Sequence, residues 1–344
     1  TSIDTASTNY WAFYKRADDF RVSDSSVSTT VTTLAGDIFP SFVDKTNISG
    51  TEFVVMQIYN TSTYTQRAYY ASSIGTWTEI TDPQFTSTEL HGKMEFMDGY
   101  AFALGDKKRI YSSDVNSLAN WTDGNYIAKA IQEDRALGLM RLNKMVLALG
   151  DETAEVFVNA GREVGSPLRT VPDLAFGVGI TDPQQRKSLT SYYTTIGSRL
   201  YFPARHRKDG SGLWMFDGRS FTKVSNVSID KILNKSAMTI VKSVNTIQFN
   251  GQVAVALGLD VPEPGTQEWL MFFPEWNEWF EWTSTIFTPV NNGEWFLGTG
   301  TNQHLLRRIS RATSNWQDAG TNYTWTHQFK LPTRGNPRTT MPWF

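Results

Sequence analysis

Acidic residues beside tryptophans are the part of this sequence best suited to chemistry. Three such pairs follow one another closely: Glu275-Trp276, Glu278-Trp279 and Glu281-Trp282. A glycoside hydrolase needs two carboxyl groups, or a tyrosine and an acid, facing each other across a sugar. The same pairs also fit an outer β-strand with tryptophans inward and glutamates outward, because successive side chains of a strand alternate between its faces. We favour the structural interpretation.

A sialidase would also need arginines that converge on the carboxylate of its substrate. The candidates are spread widely along the chain: Arg109, Arg162, Arg169, Arg307 and Arg308. The sequence does not decide whether they meet. A carbohydrate-binding or sialidase-like propeller is therefore kept as the alternative function.

The stretch "RIYSSDVNSLANWTD" (109–123) raises the question of whether Asp114 does chemistry. It is similar to the Asp-box of sialidase-type propellers, a hairpin turn in which the aspartate accepts hydrogen bonds from backbone N–H groups. It lacks the glycine after the aspartate, and the related stretch "SSIGTW" (72–77) lacks the aspartate. Asp and Asn commonly stabilise turns in this way. We therefore predict that Asp114 holds a turn and is not catalytic.

Other signs of chemistry are missing from the sequence. The four histidines (His91, His206, His304 and His327) show no metal-binding spacing, and there are no cysteines. Phosphate-binding glycine loops and a Gly-x-Ser-x-Gly elbow do not occur either. We predict no catalytic residues, no cofactor and no metal site, and expect that the chain is not an enzyme.

The charge balance argues against an independent nucleic-acid-binding module. The 344 residues include 32 Lys and Arg against 34 Asp and Glu, a formal net charge of −2, whereas such modules need a concentrated basic patch. The most basic stretch, "ARHRKDG" (204–210), fits a solvated hairpin tip. Near-neutral charge still allows DNA to slide past the protein without being held. No apolar stretch of about 18 residues occurs, so we expect no membrane span.

Short runs of β-branched and aromatic residues recur along the chain, separated by Gly, Asn and Asp turns. Their spacing, roughly 40 to 55 residues, is typical of β-propeller blades. We predict an all-β propeller of about six blades, or seven if the N-terminal arm closes the ring. A tryptophan at the end of a blade is expected to pack between neighbouring sheets.

Short helices are expected between blades. Residues 125–137 are predicted to form one or two helical turns. A helix is predicted from Ser228 to Met238, with Ser228 as N-cap and Ile229, Ile232 and Leu233 on one face. The predicted organisation is an N-terminal arm or first strands (1–50), the propeller (51–331) and a C-terminal tail (332–344).

From Arg109 onward the order of motifs resembles one family, the packaged-DNA stabilisation or tail-hub (nozzle) proteins of short-tailed bacteriophages. The Ser-Asp…Trp loop is followed by the segment from Gly150 to Gly161, by Gly177-Val178-Gly179, by the stretch from Leu200 to Gly218 and by the short helix from Ser228. The resemblance covers roughly Glu52 to Leu331, and the first fifty residues match nothing in it.

The resemblance implies a structural role in the virion tail, with assembly in the cytoplasm of the bacterial host. Copies would form a ring, expected to be a hexamer, below the portal and adaptor. The ring would contact those proteins and tail-fibre or tail-tip proteins. It would retain packaged double-stranded DNA and let it pass at ejection without sequence-specific binding. The hairpin from Arg205 to Gly212 is a candidate gate. An interaction propeller of the WD or kelch kind fits less well, because neither repeat signature recurs at fixed offsets.

Overall fold

A computed structural model describes the chain at residues 2–5, 9–16, 19–23, 28–33, 38–60, 65–73, 75–88, 90–105, 108–131, 133–162, 164–180, 192–206, 208–233, 240–249, 252–260, 267–284, 287–289, 295–299, 305–308, 317–318 and 321–322. The chain divides into two compact units, Thr1–Arg308 and Ile309–Phe344. In the second unit the described strands form one hairpin, β29 (Gln317–Asp318) and β30 (Thr321–Asn322).

The first unit begins with a sheet of four antiparallel strands in sequence order. They are β1 (Ser2–Thr5), β2 (Asn9–Arg16), β3 (Asp19–Ser23) and β4 (Ser28–Thr33).

Five sheets of four or five strands follow, and we number them as blades 1 to 5. Blade 1 contains β5 (Ile38–Ile48), β6 (Thr51–Asn60), β7 (Thr65–Ser73) and β8 (Thr76–Glu79). Blade 2 contains β9 (His91–Met97), β10 (Tyr100–Leu104), β11 (Arg109–Ser112) and β12 (Tyr126–Ala128). Blade 3 contains β13 (Ala136–Leu142), β14 (Met145–Gly150), β15 (Ala154–Asn159) and β16 (Leu168–Phe176).

Blade 4 contains β17 (Val178–Ile180), β18 (Thr194–Ile196), β19 (Arg199–His206), β20 (Gly210–Phe216) and β21 (Phe221–Lys223). Blade 5 contains β22 (Ile240–Phe249), β23 (Gln252–Asp260), β24 (Gln267–Phe273) and β25 (Glu278–Ser284). A three-stranded sheet ends the unit, with β26 (Phe287–Pro289), β27 (Trp295–Thr299) and β28 (Leu305–Arg308).

The predicted all-β propeller is confirmed, with a five-blade arrangement where about six blades were expected. Each blade is an antiparallel meander; the first strands of blades 1, 2 and 3 lie side by side, whereas β17 of blade 4 lies beside β14, the second strand of blade 3. In blade 4, β17 and β18 pair with opposite ends of β19, and β18 lies beside β22, the first strand of blade 5. The predicted domain boundaries stay predictions; the hairpin of β5 and β6 spans the one placed after residue 50.

Sequence chemistry explains the tight turns inside the blades. Asp98 and Gly99, between β9 and β10, have φ angles of 52° and 82°, and Asn143, between β13 and β14, has a φ of 53°. Two-residue hairpin loops need such positive φ values, which Asn, Asp and Gly adopt most readily. The prediction that Gly, Asn and Asp turns separate the strand-like runs is confirmed at these positions.

Separate hydrophobic clusters fill the interfaces between consecutive sheets. Trp121 is buried between blades 1 and 2, together with Phe85 and Tyr111. Val156 and Phe216 belong to the cluster between blades 3 and 4. The prediction that a blade-end tryptophan packs between sheets is thus confirmed for Trp121.

Two helices occur among the described residues, and they correct two predictions. The described residues between 125 and 137 do not form the predicted helix: Tyr126–Ala128 pair with β11, and Ile127 packs into the interface between blades 2 and 3. The helix α2 (Val227–Leu233) exists, but its N-cap is Asn226, whose Oδ1 accepts hydrogen bonds from the N–H groups of Ser228 and Ile229. Its apolar face packs against the core as predicted. The helix α1 (Pro83–Thr86) was not predicted.

Neither helix of the described part has the length and apolar character needed to cross a bilayer.

Candidate functional site at the propeller axis

Polar side chains on the first strands of three blades meet at the centre of the propeller. Lys93 of β9 lies with Nζ 3.2 Å from Oδ2 of Asp44, on β5, and 3.7 Å from Oε1 of Glu95. It donates a hydrogen bond of 3.1 Å to the hydroxyl of Tyr193, just before β18. That hydroxyl in turn donates to Oε1 of Glu95 at 2.6 Å. We call Asp44, Lys93, Glu95 and Tyr193 the axial cluster.

Blade 3 is tied to the same region by its own backbone and side chains. The hydroxyl of Tyr192 donates to the carbonyl oxygen of Leu139, on β13. The guanidinium of Arg141, also on β13, donates to the carbonyl oxygen of Phe96 on β9. Four blades are therefore joined by hydrogen bonds or ion pairs around the axial cluster.

Glu95, Lys93 and Tyr193 are largely buried, whereas the side chain of Asp44 is 37% exposed, and burial shifts the pKa values of the buried members. The side chains of Glu95 and Lys93 are 2% and 14% exposed. Burial raises the pKa of Glu95 to about 7, against the opposing effects of Lys93 and of the Tyr193 hydroxyl. Burial alone would lower the pKa of Lys93, but attraction to Asp44 and Glu95 outweighs it, so this pKa is raised. Burial and the Glu95 charge hold the pKa of Tyr193 well above its ordinary value.

This arrangement is suited to holding strands together. Glu95 is almost fully buried and has little surface left for contact with a substrate. A charged lysine between two carboxyl groups, with a tyrosine that contacts the lysine and one of them, compensates most of the charge that burial would otherwise make unfavourable. The axial cluster therefore joins the first strands of blades 1 and 2 to the start of β18 in blade 4.

Asp114 holds a turn, as predicted. Its Oδ1 accepts hydrogen bonds from the N–H of Thr122 at 3.2 Å and from the side-chain amide of Asn125 at 3.3 Å. Its own N–H donates to the carbonyl oxygen of Asn120. These contacts close the loop between β11 and β12, so that Trp121 is presented to the core.

Asp82, which follows the related stretch at 72–77, also contacts Trp121. Asp82 accepts a hydrogen bond from the N–H of Trp121 through Oδ2, at 3.0 Å, and caps α1 by accepting from the N–H of Gln84 through Oδ1. Phe85 of α1 packs against the Trp121 ring, with centroids 4.9 Å apart. The two similar stretches thus form one joint between blades 1 and 2.

The Glu-Trp pairs divide into two kinds of position. Trp279 is partly buried against the core of blades 4 and 5, and its indole N–H donates to the carbonyl oxygen of Val224. Glu278 and Glu281 are exposed, as the structural interpretation predicts. Trp276 differs: it is 44% exposed on the turn between β24 and β25, and it stacks on Phe273 with centroids 5.2 Å apart.

The candidate arginines do not come together among the described residues. Arg109 begins β11 at one end of blade 2, with its guanidinium 4.2 Å from the centre of the Tyr126 ring. Arg162 lies in the loop between β15 and β16, which the alternating strand directions place at the opposite end of the propeller. Arg169 lies on β16, the outermost strand of blade 3. Arg307 and Arg308 are placed only by their backbone, on β28.

The histidines are likewise separate. His206 ends β19, where Nδ1 lies 2.6 Å from Oδ2 of Asp209 in the basic hairpin. His91 begins β9, and His304 and His327 lie outside the described residues. Within the described part of the chain, no group of three His, Asp or Glu side chains is placed to hold a metal ion.

Two of the motif segments, Gly177-Val178-Gly179 and the segment from Gly150 to Gly161, pack neighbouring blades together. A Cβ on Gly179 would lie 2.3 Å from the backbone nitrogen of Glu152, so only glycine lets blade 4 approach the turn between β14 and β15. In the segment from Gly150 to Gly161, Asn159 donates to Asp98 of the neighbouring blade and accepts from the N–H of Gly161.

The residues of the axial cluster were not singled out by sequence. Lys93 and Glu95 alternate with Met94 and Phe96, which looks like an ordinary half-exposed strand. Lys93 and Glu95 become a candidate site only because β9 is the first strand of its blade, where neighbouring blades cover both of its faces.

The fold defines a β-propeller of repeated antiparallel blades. The family model described as "Bacteriophage P22 Gp10, beta-propeller" matches residues 20–259. The chain therefore belongs to this family of phage DNA-stabilisation propeller proteins, and it is a structural component of a phage virion. Family membership suggests a protein without enzymatic activity.

Comparison with curated proteins finds no match. Among solved structures, the chain is similar to BamB from Moraxella catarrhalis, with 13% identity, a TM-score of 0.42 and 87% of each chain covered. It is also similar to a chain of the mitotic checkpoint complex, with 9% identity, a TM-score of 0.45 and coverage of 89% of this chain and 85% of that one. A third is the dihydro-heme d1 dehydrogenase NirN, with 9% identity, a TM-score of 0.46 and coverage of 88% and 61%. At these values the likeness carries nothing about function.

Proposed function

We propose that this chain is the tail hub, or nozzle, of a short-tailed phage. In this role a ring of copies, expected to be a hexamer, extends the DNA channel below the portal and adaptor. It keeps packaged DNA inside the head and lets it pass at ejection. The observation that carries the proposal is the family match over residues 20–259.

Side-chain contacts between blades 2 and 4 support a channel formed between copies rather than within one propeller. Tyr193 of blade 4 reaches Glu95 of blade 2 within 2.6 Å, so the inner strands are in hydrogen-bond contact. A DNA duplex, whose grooves alone are about 6 and 12 Å wide, cannot pass through such a centre. DNA that passes this protein must therefore run along the outside of the propeller, which a ring of copies would enclose.

The charge balance supports passage without retention. Tight binding to DNA depends on cationic side chains that displace counterions from the phosphates. The chain carries slightly more acidic than basic residues, 34 against 32. A wall with this balance would let the duplex slide.

The hairpin from Arg205 to Gly212 stays a candidate gate, and its contacts bear on how it would move. Lys223, at the end of β21, donates to the carbonyl oxygen of Asp209 at 2.6 Å and pairs with Asp230 of α2 at 2.8 Å. The hairpin tip is thus attached to the blade that carries it. A gate at this position would open by movement of subunits rather than of the hairpin alone.

The first experiment is immuno-electron microscopy of virions with an antibody against the whole chain. Label at one vertex, on the tail, is the expected result. Label spread over the head, or label inside disrupted heads, would contradict a tail-hub role even though the protein is a virion component.

The second experiment removes the protein during infection with an amber mutation. We expect heads that package DNA and then lose it, so that particles contain nuclease-sensitive or no DNA. Suppression of the amber codon should restore full particles. Particles that lack the chain and yet retain DNA would exclude the retention function.

One observation favours a second candidate, carbohydrate binding. The stacked, partly exposed rings of Trp276 and Phe273 offer a flat aromatic surface flanked by Glu275, and sugars pack on such rings. Glycan-array binding by the purified chain that disappears in Trp276→Ala would support it. Binding that is absent, or unchanged in Trp276→Ala, would remove it.

A further inference from the structure

A second buried ionic site joins the connection between blades 2 and 3 to the turn between β14 and β15. Nζ of Lys129 contacts Oδ1 of Asp134 and lies 3.8 Å from Oε1 of Glu155. The side chains of Lys129 and Glu155 are both 0% exposed, and that of Asp134 is 15% exposed. One amine and two carboxyl groups therefore share a site from which water is largely excluded.

The carboxyl group of Asp134 is held on both of its oxygens. Oδ2 accepts hydrogen bonds from the backbone N–H groups of Glu152 at 2.9 Å and Thr153 at 3.0 Å. Oδ1 accepts from the hydroxyl of Thr153 at 2.6 Å, and the same hydroxyl accepts from Nζ of Lys129 at 2.7 Å. The second carboxyl group, on Glu155, is fixed by the N–H of Ala130.

These positions match the parts of an acyl-transfer site. A nucleophile needs to be in contact with the group that it attacks, with a base nearby. Two backbone N–H groups aimed at one oxygen stabilise the negative charge that develops there. Here Nζ of Lys129 is the nucleophile, Glu155 is the base, and the N–H groups of Glu152 and Thr153 face Oδ2 of Asp134.

We propose that Lys129 and Asp134 condense to an intramolecular isopeptide bond, with Glu155 as the proton carrier. Glu155 takes a proton from the Lys129 ammonium, and the neutral Nζ attacks Cγ of Asp134. The Nζ–Cγ bond forms and the Cγ–Oδ1 bond breaks. Both protons lost by nitrogen reach Oδ1 through Glu155 and the Thr153 hydroxyl, and Oδ1 leaves as water. Glu155 ends as the carboxylate that it was at the start.

Burial favours the amide over the ion pair that precedes it. Burial alone would raise the pKa of Asp134, but hydrogen bonds from Lys129, Thr153 and the N–H of Glu152 outweigh it and lower this pKa, which favours the carboxylate form of Asp134. Condensation replaces these two buried charges by one neutral amide, and burying charges is unfavourable even when they are paired. The released water leaves a site that solvent scarcely reaches, which opposes hydrolysis.

The bond would close the connection between two blades into a covalent ring. Residues 129–135 join β12 to β13, so a link from Lys129 to Asp134 prevents this connection from unravelling. Such reinforcement suits a virion protein, but the chemistry is independent of where in the particle the protein lies.

Mass spectrometry of the purified full chain tests the proposal directly. The crosslinked protein is lighter than its sequence by one water molecule. Under denaturing digestion, trypsin cannot cut after Lys129, so Ile110 to Arg135 remains one peptide, also lighter by one water. We expect no fragment ions from cleavage between Ala130 and Asp134, because the ring holds both parts together.

Two variants distinguish the crosslink from other reactions that release a water molecule. Lys129→Arg has no primary amine and should show the full mass and tryptic cleavage after the substituted position. Glu155→Gln keeps the shape of the site but removes the base, so a fraction without the crosslink should appear. A succinimide at Asp123-Gly124 would also lose water from this peptide, but it would leave the cut after Lys129 intact. Full mass with normal cleavage after Lys129 in the wild-type chain overturns the proposal.

Discussion

The hydroxyl of Tyr193 donates a 2.6 Å hydrogen bond to the carboxyl group of Glu95, although 98 residues separate them in sequence. The two residues belong to blades 4 and 2, and Lys93 contacts both. This pair shows that the centre of the propeller is filled by side chains. It is also the relationship on which the proposal of a channel between copies depends.

Replacing Tyr193 with phenylalanine should destabilise the propeller without unfolding it. The ring stays, but Glu95 and Lys93 lose a partner in a buried site, where an unsatisfied polar group costs about 1 to 3 kcal/mol. Denaturant unfolding of Tyr193→Phe and wild type measures the difference. Tyr100→Phe, which keeps its ring beside Phe102, is the matched control. Equal losses in both variants would mean that the axial cluster is not special.

Stability should fall as pH rises from about 5 to about 7.5. The folded protein holds a proton on Glu95 up to a pKa of about 7, whereas the unfolded chain releases it near 4.5. The folded state therefore binds more protons in this window, and linkage makes unfolding easier as pH rises. For a single group shifted this far the total effect is on the order of 3 kcal/mol.

The measurement is the difference in unfolding free energy between wild type and Glu95→Gln across this range. Glutamine does not titrate, so the difference isolates Glu95 from all other groups. Relative to the variant, wild type should be most stable below about pH 5, lose this advantage as pH rises, and level off above about pH 7.5. A difference that is constant with pH would show that Glu95 ionises at its ordinary pKa.

Asp114 offers a test of its structural role. Asp114→Ala removes the acceptor for Thr122 and Asn125, so the loop that presents Trp121 should loosen. We expect a loss on the order of 1 to 2 kcal/mol, because these hydrogen bonds involve a charged acceptor. Asp123→Ala, in the exposed turn of the same loop, should change stability less. Loss of a measurable activity by a fully stable Asp114→Ala protein would instead argue for chemistry.

The sequence predicted the features that depend on neighbouring residues. Asp98-Gly99 and Asn143-Lys144 identified hairpins because local φ requirements select those residue types. The family was recognisable because its motifs lie in a fixed order along the chain. The axial cluster could not be found in this way, because its members come from distant strands and their alternation resembles a solvent-facing strand.

The helix expected at 125–137 was wrong for a related physical reason. The pattern at 125–137 allowed a helix, but pairing with β11 and burial of Ile127 outweighed the local preference. The expected number of about six blades is close to the five that form. Which runs join into a full blade is decided by tertiary pairing.

Gly150 should be among the least replaceable residues. A Cβ there would lie 2.1 Å from Oδ2 of Asp134 and 2.3 Å from the carbonyl oxygen of Arg135. Gly150→Ala must displace the connection between blades 2 and 3, so we expect a loss of more than about 2 kcal/mol. Gly75→Ala, where a Cβ meets nothing within 4 Å, is the control. A small loss of stability in Gly150→Ala would indicate that the connection between blades 2 and 3 shifts at little cost in free energy.

Two substitutions at the start of α2 distinguish the observed N-cap, Asn226, from the predicted N-cap, Ser228. Asn226 accepts from two backbone N–H groups through its side chain, so Asn226→Ala should cost about 1 kcal/mol. Ser228→Ala, at the residue that the sequence pattern favoured, should be nearly neutral, because Ser228 is an exposed residue in the first turn of the helix. Paired thermal unfolding of the two variants measures both effects at once. The reverse order would place the helix start two residues later, at Ser228, and would release Val227 from the helix.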